Sequence, residues 1–271
     1  MLADYHIHTK RCKHARGEMR EYVEQALTRN IPEIAFTDHI PLPGNFDLAH
    51  RMALSELEGY FREIETLQEE YPQIRILGGI EADYYEGFEE FLQGILSQYP
   101  FDLVIMSVHF IKGWGDTNWV FSYHFPDRPL HDIYSDYLRT LSTGVDTGLF
   151  QVVGHLDLIK SADLSILGRN EAEVQDLLQR IKKRDMAIEI NTSGLRKEIA
   201  ETYPTLQMLP LISELNIPLT IGSDAHQPDQ VGFCFRQLEE ELKPFPKLTF
   251  RHYRSGKPVE YALTVSGEVL E

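Results

Sequence analysis

Eleven histidines are spread through this chain of 271 residues, and several stand where imidazole could do chemistry. His6-Ile7-His8 closes one short apolar run, Thr37-Asp38-His39 a second, and Glu81 with Asp83 a third. His109 follows the fourth such run, His155 the fifth, and Asp224-Ala225-His226 the seventh. Residues two apart in an extended segment face the same side, so His6 with His8, and Asp224 with His226, are each suited to grip one ion. Neutral imidazoles and carboxylates are the donors that Zn, Fe and Mn prefer. A lone His-x-His is commonly incidental, but so many donors at successive run ends point to a metal centre. His50, His124, His131 and His252 fit no such pattern and are read as non-ligands.

The elements that must carry these residues can be read from periodicity. Strands are expected at Asp4–Ile7, Glu33–Phe36, Ile74–Ile80, Asp102–Met106, Gln151–Val153, Ala187–Ile190 and Leu219–Ile221. Helical patterns lie between them, at Gly17–Asn30, Leu54–Tyr71, Gly87–Tyr99, Pro129–Gly148, Asn170–Arg184 and Pro204–Asn216. Strand followed by helix, repeated, predicts an α/β fold with a parallel sheet. An open sheet would spread the strand-end donors along a line, whereas a closed barrel gathers them on one face, where sites assemble. The clustering favours closure. A terminal strand pair is expected at Leu248–Tyr253 and Val259–Val265. With no linker, repeat or low-complexity tract, residues 1–271 read as one domain.

Composition narrows the function classes. The chain is 42% hydrophobic and 25% charged, enough apolar content for a sizeable core without disulfide staples. Its two cysteines, Cys12 and Cys234, have no paired spacing, and Cys12 stands two residues before His14. No membrane span and no secretory leader are visible, so a cytoplasmic location is expected. The formal charge of −16 argues against a nucleic-acid or anionic-membrane partner. A small anionic substrate remains compatible, because local cations override an average. The oligomeric state is open, a homodimer included.

The same residues carry a family resemblance. His6-Ile-His8-Thr9, Cys12-Lys-His14, Thr37-Asp38-His39, Gly79-Ile-Glu81, Ser107-Val-His109, Gly154-His155-Leu-Asp157 and Gly222-Ser223-Asp224-Ala-His226 resemble the motifs of the PHP (polymerase and histidinol phosphatase) superfamily, in order. Within it, Glu189-Ile-Asn-Thr-Ser-Gly-Leu-Arg-Lys197 and the overall length resemble the monofunctional histidinol-phosphate phosphatases. The resemblance runs from residue 2 to about residue 265 and implies a distorted (β/α)7 barrel of the PHP type. It implies nine metal ligands and a trinuclear cluster of divalent ions, Zn, Fe or Mn. His6, His8, Glu81 and Asp224 would hold one ion, and Glu81 would bridge to a second held by His109 and His155. His14, His39 and His226 would hold the third.

Such a centre suits phosphate monoester hydrolysis, among the slowest of uncatalysed reactions. The expected course is in-line attack by a metal-bridging hydroxide, with His6, His8, Glu81, His109 and Asp224 around it and no covalent phosphoenzyme. Lys160 and Arg196 are expected to bind the phosphate, since both follow strand ends and a guanidinium fork matches phosphate oxygens. Arg16, near His14, is a weaker candidate. Asp38 and Asp157 could orient imidazoles or simply cap turns. Asp83 and Ser193 could face the pocket, though no pattern fixes their direction. The segment between Phe110 and Pro129, with Trp114 and Trp119, could wall the pocket for the substrate's imidazole or serve as a packing loop. The alternatives are a PHP phosphoesterase acting on nucleotides or single-stranded nucleic-acid ends, an amidohydrolase barrel, and a non-catalytic metal scaffold. The acidic charge and the lack of a basic aromatic groove weigh against the first, the His14, Glu81 and Asp224–His226 pattern against the second. The unbroken ligand set weighs against the third.

Overall fold

The structure, a computed structural model, describes residues 3–115, 119–161, 168–254 and 256–262. Seven strands form in the expected order: β1 (Asp4–Ile7), β2 (Glu33–Phe36), β3 (Arg75–Asp83), β4 (Leu103–Ser107), β5 (Val152–Val153), β6 (Ala187–Asn191) and β7 (Leu219–Gly222). Each pairs in parallel with the next. The helices between them are α1 (Met19–Thr28), α2 (Leu57–Glu70), α3 (Glu89–Gln98), α4 (Leu130–Thr147), α5 (Glu171–Lys183) and α6 (Leu209–Glu214). Their apolar stripes face the sheet, as with Tyr22, Val23 and Ala26 on α1 and Leu57, Tyr60, Ile64 and Leu67 on α2. Expected and observed bounds differ most at α6, because Leu206–Met208 forms a 3₁₀ turn before the helix begins.

Alternation along the strands sorts the side chains into layers. On β3, Ile76, Ile80 and Ala82 pack outward with the helices. Leu77, two residues before Gly79, belongs to a small interior cluster at the barrel floor, together with Tyr5, Ala35, Ile105, Val152, Ala187 and Tyr253. The same inward row continues to Glu81 and Asp83, so the floor of the barrel is apolar and its carboxyl end acidic. On β6 the row runs from Ala187 to Glu189 and Asn191, while Ile188 and Ile190 face the helices.

Closure is uneven. β1 meets the chain just beyond β7, where the His8 N–H donates to the Ala225 carbonyl at 2.9 Å and the Ala225 N–H to the His6 carbonyl at 3.2 Å. The register of β1 against β2 slips between Asp4 and Ile7, which re-aims the strand end that carries His6 and His8. At the opposite end, the terminal pair β8 (Thr249–Arg254) and β9 (Lys257–Ala262) joins β7 through Leu219 and Phe250 and sets Tyr253 into the floor. The expected strand at Val259–Val265 thus overlaps β9, with residues 263–265 outside the described residues. One helix, α7 (Phe235–Leu242), was not expected, although Phe235, Leu238 and Leu242 stand at helical spacing and are buried. Among the described residues no helix is long and apolar enough to cross a membrane.

Candidate metal centre

All nine expected ligand side chains meet at the carboxyl end of the barrel. Glu81 lies at the middle. Its Oε2 is 3.5 Å from His6 Nε2, 3.4 Å from His8 Nε2 and 2.8 Å from His39 Nδ1. Its Oε1 is 3.0 Å from His155 Nε2 and 3.8 Å from His109 Nε2, and accepts the Ser107 hydroxyl at 2.6 Å. Asp224 Oδ1 is 3.2 Å from His8 Nε2 and 3.9 Å from His6 Nε2. Among the described residues donor atoms fall into overlapping compact groups, which include His6, His8 and Glu81; Glu81, His109 and His155; His14, His39 and His226; and His39, Asp83 and His109.

Second partners set most of the rings. His6 Nδ1 faces Glu189 Oε1 at 2.6 Å, and His109 Nδ1 faces Asp83 Oδ1 at 2.6 Å. His14 Nδ1 donates to the Cys12 carbonyl at 2.7 Å, and His226 Nδ1 to the Asp224 carbonyl at 3.0 Å. With each Nδ1 bearing the proton, Nε2 is left as a lone pair facing the centre. One pair of such nitrogens then confronts each other, His14 with His226 at 2.9 Å, while His6 Nε2 lies 3.1 Å from Nε2 of His8, whose Nδ1 no hydrogen-bond partner sets. Lone pairs repel at that separation unless a cation lies beside them.

The residues fit divalent ions on three counts. Ligand atoms around a tetrahedral zinc stand about 3.3 Å apart, given Zn–N of ~2.0–2.1 Å; His6–His8 at 3.1 Å, His6–Glu81 at 3.5 Å, His8–Glu81 at 3.4 Å and His8–Asp224 at 3.2 Å lie close to that edge, and His6–Asp224 at 3.9 Å is wider. His8 Nδ1, His39 Nδ1 and Glu81 Oε2 are buried without hydrogen-bond partners. Finally, the site is short of positive charge. Burial disfavours a charged His6, yet Glu189, Glu81 and Asp224 together hold its pKa well above the ordinary value. His8 shows the same contest between burial and the carboxylates of Asp224 and Asp38, which hold it well above the ordinary value. Burial likewise opposes ionisation of Glu81, but His39, His6 and His109 keep it well below the carboxylate range. His39 is lowered to about 4, first by burial and then by the neighbouring His8, which leaves it a neutral donor.

Backbone geometry serves the same end. Asp224 (φ 54°) and His155 (φ 21°) adopt left-handed conformations, which cost of order 1–3 kcal/mol for residues other than glycine. Gly222 has no room for a side chain, since a Cβ there would meet Glu189 Oε1 at 2.2 Å and His6 Cβ at 2.5 Å.

The expected phosphate cations are differently placed. Lys160 is 1% exposed, and a buried ammonium needs partners. It finds them in Asp157 at 3.1 Å, Glu201 at 3.2 Å and the Thr202 carbonyl at 2.6 Å. Asp157 therefore pairs with Lys160 and the Thr205 N–H, not with an imidazole. Arg196 donates to the carbonyls of Ser223 and Asp224, each at 2.9 Å, and braces the Asp224 loop. Neither lines the cavity over the centre; Lys197 and Arg51 do. Arg51 is buried between Asp83 at 3.0 Å and Asp47 at 2.8 Å. Sequence reasoning missed it, as it missed the orienting role of Glu189; no local spacing marks either one.

The cavity measures about 450 Å³, within the range of small-ligand pockets. Its outer wall includes Trp119, Phe121 and His50, with the His50 ring edge-on to Trp119 at 5.0 Å. The two tryptophans divide: Trp119 faces the cavity, while Trp114 is buried, donates to Asp136 at 2.9 Å and packs on Phe125. Residues 116–118 of that segment lie outside the described residues.

A β/α barrel whose strand ends gather imidazoles around a shared carboxylate defines a metal-dependent hydrolase of the barrel type. The PHP domain family matches residues 4–193, and the chain belongs to it. A probable histidinol-phosphatase of Deinococcus radiodurans is 37% identical, over 93% of this chain and 97% of its own. The histidinol-phosphatase of Bacillus subtilis is 34% identical, over 88% of this chain and 98% of its own. The crystal structure of histidinol phosphate phosphatase from Lactococcus lactis, complexed with zinc, L-histidinol and phosphate, shares the fold. It has a TM-score of 0.78 at 24% identity, covering 95% of this chain and 98% of that one.

Proposed function

We propose that this chain is a histidinol-phosphate phosphatase of the PHP family, releasing L-histidinol and phosphate in histidine biosynthesis. The observation that carries the reading is Glu81, whose two oxygens face different imidazole groups, as a carboxylate shared between ions would. The intact donor set suits three divalent ions of the Zn, Fe or Mn class, and the relative bound to zinc, L-histidinol and phosphate supports that choice. When bound, such ions lower the pKa of water and neutralise phosphoryl oxygens.

The chain's own residues do the rest. Glu189 and Asp83 hold the Nδ1 protons of His6 and His109, so that Nε2 of each stays aimed inward. Lys197, exposed at the cavity edge with its ammonium 5.3 Å from the Tyr203 ring centroid, would swing onto a phosphate as a point charge. Trp119, Phe121 and His50 offer ring faces and edges to the imidazole of the substrate and exclude water from it. A cavity of this size accepts a small phosphorylated amine; the acidic surface disfavours a polynucleotide. A cytoplasmic location accords with that pathway.

The test is phosphate release from histidinol phosphate beside a mononucleotide and a short oligonucleotide. Preference for histidinol phosphate is the expected result. Preference for either nucleotide substrate overturns the assignment in favour of a nucleic-acid phosphoesterase.

A further inference from the structure

The thiol of Cys12 lies inside the histidine cluster, apart from the nine imidazole and carboxylate ligands of the centre. Cys12 is fully buried, and its Sγ lies within 4.8 Å of a ring nitrogen of His8 and one of His226. The Ala15 N–H donates to Sγ at 3.2 Å, which favours electron-rich sulfur. His8, 1% exposed, keeps its Nδ1 buried without a hydrogen-bond partner, the Asp38 carboxylate standing 3.7 Å away. An imidazole nitrogen left unsatisfied beside a thiol is a donor pair awaiting an ion. Cys234 differs: it is only half-buried, and its charged neighbours are Arg196, Glu241 and Arg29.

We propose that His8, Cys12 and His226 form a further cation site, a mixed imidazole–thiolate site for a thiophilic divalent ion of the zinc–cadmium class. It goes beyond the phosphatase assignment and does not depend on it. Two imidazoles and one thiolate are a familiar donor set for such ions, whereas manganese favours oxygen and nitrogen. Binding releases the thiol proton to solvent. The position competes with the centre through His226, which also belongs to the His14–His39–His226 group, whereas His8 would offer Nδ1 and keep Nε2 toward Glu81 and Asp224. A thiophilic ion seated there draws His226 away from that group. Excess zinc or cadmium is therefore expected to inhibit where excess manganese does not.

The test is spectroscopic and needs no substrate. The full chain, loaded with manganese, is titrated with cadmium chloride while the ultraviolet thiolate-to-cadmium charge-transfer band is followed. The band should grow to saturation in the unmodified chain and in Cys234→Ser, and be lost in Cys12→Ser. Cys12→Ser should also bind cadmium at least roughly tenfold more weakly. No band in the unmodified chain, a band that survives in Cys12→Ser, or one lost in Cys234→Ser overturns the site. Cadmium NMR of the unmodified chain is a second measurement that requires no variant to fold. A resonance in the downfield thiolate range supports the proposal, and resonances confined to the nitrogen–oxygen range overturn it.

Discussion

His6 Nδ1 lies 2.6 Å from Glu189 Oε1, although 183 positions separate the two residues. The other oxygen of Glu189 accepts the His155 N–H at 2.8 Å. One carboxylate on β6 thus orients a ring at the end of β1 and ties down the backbone at the end of β5. The bare Gly222 leaves the space in which it does so.

Replacing Glu189 with Gln should therefore loosen the centre without unfolding the barrel. The amide cannot serve both N–H donors as a carboxylate does. A loss of about 10–100-fold in metal affinity is expected, the usual effect of removing a ligand's orienting partner. Competition with a coloured chelator measures it, with circular dichroism as the control for folding. Unchanged affinity would show that His6 is set by packing alone.

Lys197 and Arg196 are neighbours with opposite expectations. Lys197→Ala should raise KM for a phosphate monoester by about 10–100-fold, corresponding to ~1.5–3 kcal/mol for a charged hydrogen bond. Arg196→Ala removes the brace on the Ser223 and Asp224 carbonyls, so it should reduce metal content first. Steady-state kinetics beside metal analysis separates the two. Equal effects on KM from both variants would place Arg196 on the phosphate as well.

Chelation offers a direct check on the donor set. Activity should fall with metal removal and return on adding Zn, Mn or Fe, the ions that imidazole and carboxylate donors accept. In the same series Asp224→Asn should cost more than ~100-fold in kcat/KM, beyond the effect of an orienting residue. Full activity in stripped protein would contradict the proposed chemistry.

The barrel floor should respond to acid. Burial would raise Glu33, but hydrogen bonds from His252 and Tyr5 outweigh it and hold the carboxyl below its usual range. A depressed carboxylate stabilises the fold above its unfolded pKa of ~4.3, and that contribution disappears as pH falls through the lower folded value. Thermal melts below about pH 4 should show the loss, and Glu33→Gln should flatten that limb. A mutant with the same acid limb would mean that the terminal hairpin is held by Tyr253 and its apolar neighbours alone.

Much of the centre was legible before any tertiary contact was known. His-x-His at a strand end, Asp-His after the next strand and Asp-x-His after the last are local patterns, although a slipped register at β1 and a left-handed Asp224 finish their aim. Glu81 is the simpler case: it is two residues from Gly79 and four from Leu77, so one inward row runs from apolar floor to acidic mouth. The partners of the cations were not legible in that way. Lys160 and Arg196 follow strand ends as a phosphate ligand should, yet one is drawn into a buried pair with Asp157 and the other onto backbone carbonyls. Long basic side chains reach several directions from one backbone position, and their partners come from other loops.

The sequence by itself determined the donor types, their order along the chain and the β/α repeat that lifts them to one end. Those follow from residue identity and from periods of two and 3.6, which each segment carries alone. Only the tertiary structure decided which groups share an ion-sized space. It brought Glu189 to His6, Cys12 beside His8 and His226, Arg51 to Asp83, and Trp119 rather than Trp114 to the cavity. Each of those pairings crosses strands or loops, and its geometry depends on how the barrel closes. No local segment contains that information.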